Sequence, residues 1–273
     1  MKRQKGLFFL KRMGAVLMAF ACSVILFTAG TVFQADAAQD AGDGYGLADN
    51  VQDGTILHCF CWKYSDIKNE LENIARAGFT SVQISPVQAT GLEELYREYY
   101  KDLDESYYET YWEKLYQPNG FTIASDGFLG TKQELKELCE AADKYGIKVL
   151  TDVVANHLTG NKKLIEEDLQ ADEFWRKTKS IDYNNRKSVT TGQLLELCEL
   201  DTENEYVQSC VIGLINELKE LGIDGIRWDA AKHIALPSEG SDFWEKMTDT
   251  GLYNYGEILG SPGGSSDTTN SLM

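Results

Sequence analysis

One pattern recurs three times in this chain and sets its fold class: an amphipathic helix, a glycine, then a short apolar strand. It spans DIKNELENIARAGFTSVQIS (66–85), TKQELKELCEAADKYGIKVLTDVV (131–154) and YVQSCVIGLINELKELGIDGIRWD (206–229). Gly78, Gly146 and Gly222 each fall where a helix needs a left-handed residue at its C-terminal end. The strands FTSVQIS, IKVLTDVV and IDGIRWD are nearly continuous in apolar residues, as strands covered on both faces are. TILHCFCW (55–62) reads as a strand ahead of them and LYNYGEI (252–258) as one behind. Alternating strands and helices predict a parallel α/β sheet.

A polar or charged residue marks the C-terminal end of each strand: His58, Gln83, Asp152, Asp229 and Glu257. In a parallel barrel that end carries the active site, and in an open sheet the ligand crevice lies there too. The sequence therefore gathers carboxylates at one rim. Two segments break the rhythm. Residues 86–130 form a long connection rich in aromatics, with Tyr96, Tyr99, Tyr100, Tyr107, Tyr108, Tyr111, Trp112 and Tyr116. Residues 158–204 are polar and weakly periodic, and read as a small subdomain leaning over the rim. The tail after Glu257 is turn-forming.

The N-terminus reads as a targeting segment. Lys2, Arg3, Lys5, Lys11 and Arg12 precede an uncharged run from Met13 to Phe33, and Ala35-Asp36-Ala37 is a small-x-small pattern of the kind signal peptidase cuts. The expectation is a signal peptide over 1–37, export to the extracellular space, and no stable membrane anchor afterwards. A retained anchor is the alternative, because about 20 apolar residues can span a bilayer. Cys22 follows Ala19-Phe20-Ala21, a poor lipoprotein site.

Charge narrows the partners. The chain has 26 Lys and Arg against 43 Asp and Glu, a net −17, which becomes −21 without residues 1–37. Such a surface repels phosphate backbones, so no nucleic acid partner is expected, whereas a neutral polyol such as carbohydrate suits the field. Beyond the leader lie Cys59, Cys61, Cys139, Cys198 and Cys210, an odd number that argues against a complete disulfide framework. They are expected as buried free thiols, with Cys59 and Cys61 on one face of the first strand.

Asp229 and Glu257 each end an apolar strand, where a bare charge is expensive. Arg227 lies two residues before Asp229 and points the same way, so it should hold that carboxylate ionised. Glu257 has no cation beside it in sequence and should retain a proton to donate. One ionised and one protonated carboxyl are what glycoside hydrolysis needs. On spacing alone, structural rim charges are the commoner reading.

The motifs change that weighting. DVVANH (152–157), GIRWDAAKH (225–233) and YGEI (255–258) resemble the first three conserved regions of the α-amylase family of glycoside hydrolases, in the family's order and at strand ends. LYQP (115–118), LGTKQELKELC (129–139) and LDTENEYVQ (200–208) extend the resemblance, which runs from Thr55 to Leu259 and is to secreted bacterial α-amylases. It implies a (β/α)8 TIM-type barrel, incomplete at about five βα units, with a subdomain inserted after strand three. The implied division is a linker over 38–54, barrel over 55–157, insert over 158–204 and barrel again over 205–273.

Carried over by position, the resemblance implies Asp229 as nucleophile, Glu257 as general acid/base and Arg227 as the residue that orients the nucleophile. His157 and Gln117 match groups that bond the sugar before the scissile bond, Tyr116 its stacking platform, and Lys232 a contact on the leaving side. Asp152 is expected to fix the rim. A structural calcium ion (Ca2+) is implied on Asn156, on a carboxylate of the insert and on the backbone carbonyl of His233; oxygen donors of this kind suit calcium. Glu199 stands where aspartate is usual and Asp201 lies two residues on, so the carboxylate is open between them.

The family's fourth region, which supplies a third catalytic carboxylate, is expected beyond Met273. The reading is therefore a monomeric, secreted α-amylase-like enzyme cleaving α-1,4-glucosidic bonds of starch or maltooligosaccharides with retention, the 273 residues forming a fragment of low or no activity. The alternative is a catalytically inactive carbohydrate-binding remnant.

Overall fold

The three helix–glycine–strand repeats are all formed in the computed structural model, which describes residues 44–93, 112–177 and 179–260. β1 (Ile56–Cys59) leads into α1 (Tyr64–Arg76) and β2 (Ser81–Ile84). A single turn, α2 (Trp112–Leu115), precedes α3 (Lys132–Asp143) and β3 (Lys148–Val154). The chain then passes through β4 (His157–Leu158), α4 (Arg186–Thr191) and β5 (Cys198–Glu199) to α5 (Glu205–Leu221) and β6 (Gly225–Asp229). Last come α6 (Phe243–Thr248) and β7 (Tyr253–Gly256). These residues belong to a unit covering 43–273; the other unit, 1–42, lies outside the described residues, as do Tyr96, Tyr99, Tyr100, Tyr107, Tyr108 and Tyr111. Among the described residues no helix is long and apolar enough to cross a membrane.

Local chemistry explains the helices. Thr131 and Glu134 form a reciprocal capping box that starts α3, and the Asn204 side chain accepts from the Tyr206 and Val207 amides to start α5. Ile67, Leu71 and Ile74 of α1, Leu135 and Leu138 of α3, and Val211, Leu214 and Leu218 of α5 recur at helical spacing and are buried. Gly222 ends α5 at φ +93°, where a side chain would be strained.

Five strands form one parallel sheet in the order β1-β2-β3-β6-β7. Val82, Ile84, Val149, Val153, Ile226 and Trp228 join the helices in one apolar cluster. The alternate positions include Leu150 and Val154 along with the polar residues Gln83, Asp152, Arg227 and Tyr255. The Tyr255 hydroxyl donates to Gln83 Oε1 at 2.6 Å, joining β7 to β2 across β3 and β6. Three strand spacings of a flat sheet would put those strands about 14 Å apart, so the bond marks the sheet as curled toward its polar face. Gly225 permits the close approach of β6 to its neighbours, since a Cβ there would lie 2.5 Å from Leu150 Cδ2 and 2.8 Å from the Tyr253 carbonyl. The architecture is an incomplete (β/α) barrel.

The first strand is shorter than expected. It ends at Cys59, the Trp62 amide turns back to the Cys59 carbonyl, and Cys61 sits at φ +59° with its amide on Ser85 Oγ. Cys59 and Cys61 therefore do not share a strand face. All five described cysteines are free thiols, Cys59 and Cys139 buried and the others half-buried. Between β3 and α5, the antiparallel pair β4–β5 staples the two ends of the inserted stretch, with His157 opposite Glu199.

Candidate active site

At the C-terminal rim, one guanidinium gathers three carboxylates. Arg227 lies beside Asp152 in the β3–β6 register and beside Tyr255 in the β6–β7 register. Its Nη1 donates to Asp152 Oδ2 at 2.8 Å and to Asp229 Oδ1 at 3.0 Å, and its Nη2 reaches Glu257 Oε1 at 2.9 Å. Asp152 is completely buried and fully engaged: Gln83 Nε2 donates to Oδ1 at 2.7 Å and the Tyr116 hydroxyl to Oδ2 at 2.6 Å. Glu257 sits just past β7. Its Oε2 accepts from the Ala230 amide at 3.1 Å, and its own amide bonds the Trp228 carbonyl at 2.9 Å. Ala230 takes φ +49° to make that approach.

The electrostatics differ from the sequence reading on two points. The sequence pairs Arg227 with Asp229 alone and leaves Glu257 without a cation; in the structure the guanidinium binds both. One positive charge is divided among three negative ones. Burial first, and the neighbouring Glu257 charge second, push the Asp229 carboxyl up to about 7, against the pull of Arg227. Burial likewise raises Asp152 against Arg227 and its hydrogen-bond donors. Arg227 itself loses proton affinity to burial but gains more from Asp152, Glu257 and Asp229, so it stays charged. Three carboxylates thus share one guanidinium, an excess of negative charge that suits the site to a developing positive charge.

The Tyr116 ring stacks near Phe60 at 6.3 Å between centroids and meets Trp112 edge-on at 6.3 Å. Phe60 and Trp112 are exposed, making an aromatic surface beside the carboxylates that could cover a pyranose face. Sequence reasoning missed Phe60 because it was placed inside the first strand. His157 is buried, with Nε2 3.1 Å from the Tyr116 carbonyl and Nδ1 3.4 Å from Asn156 Nδ2. Burial lowers it to about 4, so the imidazole is neutral and braces the Tyr116 backbone. Gln117 lines an open depression with Lys114, Thr159, Asn161 and Leu195, whose walls include none of the three carboxylates. Lys232 is buried; its Nζ donates to the Leu259 carbonyl at 3.0 Å and lies 5.3 Å from the Tyr183 ring centroid.

The residues expected to hold calcium do come together, but not as a metal site. Asn156 Nδ2 donates to Glu199 Oε2 at 2.6 Å, and Glu199 Oε1 accepts the Leu194 amide at 2.9 Å. Asp201 caps a local turn by accepting the Glu203 amide at 3.2 Å, so Glu199 is the carboxylate beside Asn156. Asn156 Oδ1 and the His233 carbonyl, the other two expected ligands, both accept from Arg176, at 3.2 and 3.3 Å. This donor set does not fit a divalent cation, because a half-buried guanidinium already occupies two of its oxygens and protein donors occupy those of Glu199. Among the described residues no group of three or more His, Cys, Asp or Glu side chains could hold a metal ion. Arg176 was missed in sequence, where it lies in an aperiodic polar stretch.

Comparison with known proteins gives the family and the fold. The family model "Alpha amylase, catalytic domain" matches residues 63–255. An alpha-amylase of Clostridium acetobutylicum is 32% identical over 267 residues, covering 89% of this chain and 33% of that protein. One from Butyrivibrio fibrisolvens is 33% identical over 231 residues, covering 81% of this chain and 23% of the relative. The chain thus spans a third or less of these relatives' length. Among solved structures, an alpha-amylase of Geobacillus thermoleovorans complexed with acarbose matches with TM-score 0.60 at 22% identity, over 77% of this chain and 48% of that one.

Proposed function

Because this chain belongs to the α-amylase catalytic-domain family, we propose that its rim is the site of a retaining glycosidase acting on α-1,4-glucosidic bonds of starch or maltooligosaccharides. The observation that carries this reading is the single guanidinium of Arg227 joining Asp229 and Glu257 at the C-terminal end of a parallel sheet. The reaction requires a proton on Glu257 and the charge on Asp229. Glu257 gives that proton to the leaving oxygen as an Asp229 oxygen bonds the anomeric carbon. Glu257 then takes a proton from water, whose oxygen displaces Asp229 and releases the sugar. Arg227 orients Asp229; Asp152, itself held by Gln83, fixes Arg227; and Tyr116 with Phe60 and Trp112 offers the stacking surface. The relative solved with acarbose supports an oligosaccharide-like ligand.

The family's third carboxylate belongs to its fourth region, so full hydrolysis is proposed for a chain that carries that region. Residues 1–273 alone are proposed to bind α-glucans with little or no turnover. We also propose an exported, monomeric protein whose mature N-terminus lies close to Ala38; N-terminal sequencing of the protein from culture medium tests that. For the site, reducing-sugar release from starch should appear in a chain extended through the fourth region and vanish in Asp229→Asn and Glu257→Gln. Extended chains that bind maltooligosaccharides but never cleave them would favour the binding remnant, and activity surviving Asp229→Asn would overturn the nucleophile assignment.

A further inference from the structure

We propose that Arg176 replaces the calcium ion in this chain: its guanidinium is the resident cation that fastens the inserted stretch to the rim, and the fold holds without divalent metal. Four oxygens from four separate stretches converge on this one side chain. Nη2 donates to Asn156 Oδ1, just after β3, and to Thr202 Oγ1, ahead of α5, both at 3.2 Å. Nη1 donates to the Thr190 carbonyl in α4 at 2.6 Å and to the His233 carbonyl in the turn after β6 at 3.3 Å. The Arg176 amide also donates to the Glu199 carbonyl at 3.1 Å, which fixes the root of the side chain.

The chemistry is that of a guanidinium cradle rather than a vacant metal cage. Calcium wants six to eight oxygens at about 2.3–2.6 Å, commonly with a bidentate carboxylate. Here the nearest buried carboxylate, Glu199, has each oxygen committed to a protein donor. The Asn156 amide is oriented by the same network, its nitrogen on Glu199 and its oxygen on Arg176. A divalent cation placed among these oxygens would meet a half-buried positive charge at hydrogen-bond range, a repulsion the surrounding acids, Glu199, Asp201 and Glu203, would have to offset. A planar fork with five donors satisfies several fixed acceptors at once, as a point charge on a flexible stem does not.

A second arginine completes the clamp on the same turn. Arg186 donates through Nη1 to the Lys232 carbonyl and through Nη2 to the Ile234 carbonyl at 3.0 Å, while Nε and Nη2 pair with Glu239 at 2.9 Å. Three successive carbonyls, of Lys232, His233 and Ile234, are thus held by two guanidiniums from the insert. The turn begins one residue after Asp229, so these arginines do for the rim what a bridging ion would do.

The test reads stability and metal content, so it stands apart from the proposed hydrolysis. The purified 273-residue chain is melted in EDTA and in millimolar CaCl2, and its calcium content is measured after dialysis. The wild type should melt within about 1 °C in the two buffers, because a ligand that does not bind cannot stabilise. It should also carry far less than one calcium per chain. Arg176→Ala should melt about 10 °C lower, since it strips a buried network of its cation. Arg176→Lys should recover less than half of that loss. Melting that falls in EDTA and returns with calcium, or stoichiometric calcium in the dialysed chain, would overturn the proposal, and so would an Arg176→Ala chain as stable as the wild type. Full recovery by Arg176→Lys would overturn the fork geometry. If Arg176→Ala does not fold, the wild-type chelation and calcium measurements decide alone.

Discussion

Replacing Asp229 with asparagine should stabilise the protein, and most at neutral to alkaline pH. Asp229 is 8% exposed, and burial followed by the Glu257 charge pushes its carboxyl from 3.8 up to about 7. Between those values the native state binds more protons than the unfolded chain, so the stability this group contributes falls as pH rises through that window and levels off above it. Each tenfold change in proton affinity is worth about 1.4 kcal/mol, so an ionised Asp229 near pH 8 weighs about 4 kcal/mol against the fold. Asparagine carries no charge and keeps an oxygen for Arg227 Nη1, which now reaches Asp229 Oδ1 at 3.0 Å. The pull of Arg227 on the carboxylate is already contained in that shift. The gain should be about 4 kcal/mol at pH 8 and about 1.5 kcal/mol at pH 5, or about 8–16 °C in melting temperature at the higher pH for a domain of this size. Thermal melts of both chains at the two pH values read the difference. An asparagine variant that melts below the wild type at pH 8, or that shifts equally at both pH values, would refute the burial argument.

Tyr116→Phe keeps the ring but removes the 2.6 Å donation to the buried Asp152, and urea unfolding should show a loss of about 1.5–3 kcal/mol, as for hydrogen bonds to charged groups. Unchanged stability would mean that Gln83 and Arg227 suffice for Asp152. Burial pushes the Cys59 and Cys139 thiols up to about 12, so iodoacetamide at pH 8 should modify them far more slowly in the native chain than in urea. Prompt labelling of either in the native chain would contradict the packing around them.

What the sequence revealed was mostly local. A glycine after an amphipathic run marks a helix end because only a left-handed residue satisfies the last carbonyls, and Gly78, Gly146 and Gly222 all take positive φ. Polar residues at strand ends showed the rim, since a parallel sheet presents all those ends together. The failures were of a different kind. The cation beside Glu257 is Arg227, 30 residues earlier in sequence but one strand away in space, and the β6–β7 register that sets Arg227 beside Tyr255 brings them together. Gln83 and Tyr255 meet across 172 residues because the sheet curls. The turn at Cys61 removed Phe60 from the first strand and gave it to the aromatic surface. Arg176 has no periodic neighbours to betray it, and its meaning lies in acceptors at positions 156, 190, 202 and 233.

These long-range contacts link into one line of constraint. A non-glycine residue in the left-handed region is costly by roughly 1–2 kcal/mol and persists only where its surroundings over-determine it. Ala230 is such a residue, placed between the proposed nucleophile and the clamped turn, and its amide is committed to Glu257. On one side β6 fixes Asp229 through its pairing with β3 and β7. On the other, Arg176 and Arg186 fix the carbonyls of residues 232–234. With both flanks held, Ala230 cannot relax to an extended conformation without breaking either a strand pairing or a guanidinium contact. The strained turn thus points the Ala230 amide at Glu257 and keeps that carboxylate at the guanidinium it shares with Asp229. The inserted stretch thus holds, through Arg176 and Arg186, the turn that follows Asp229.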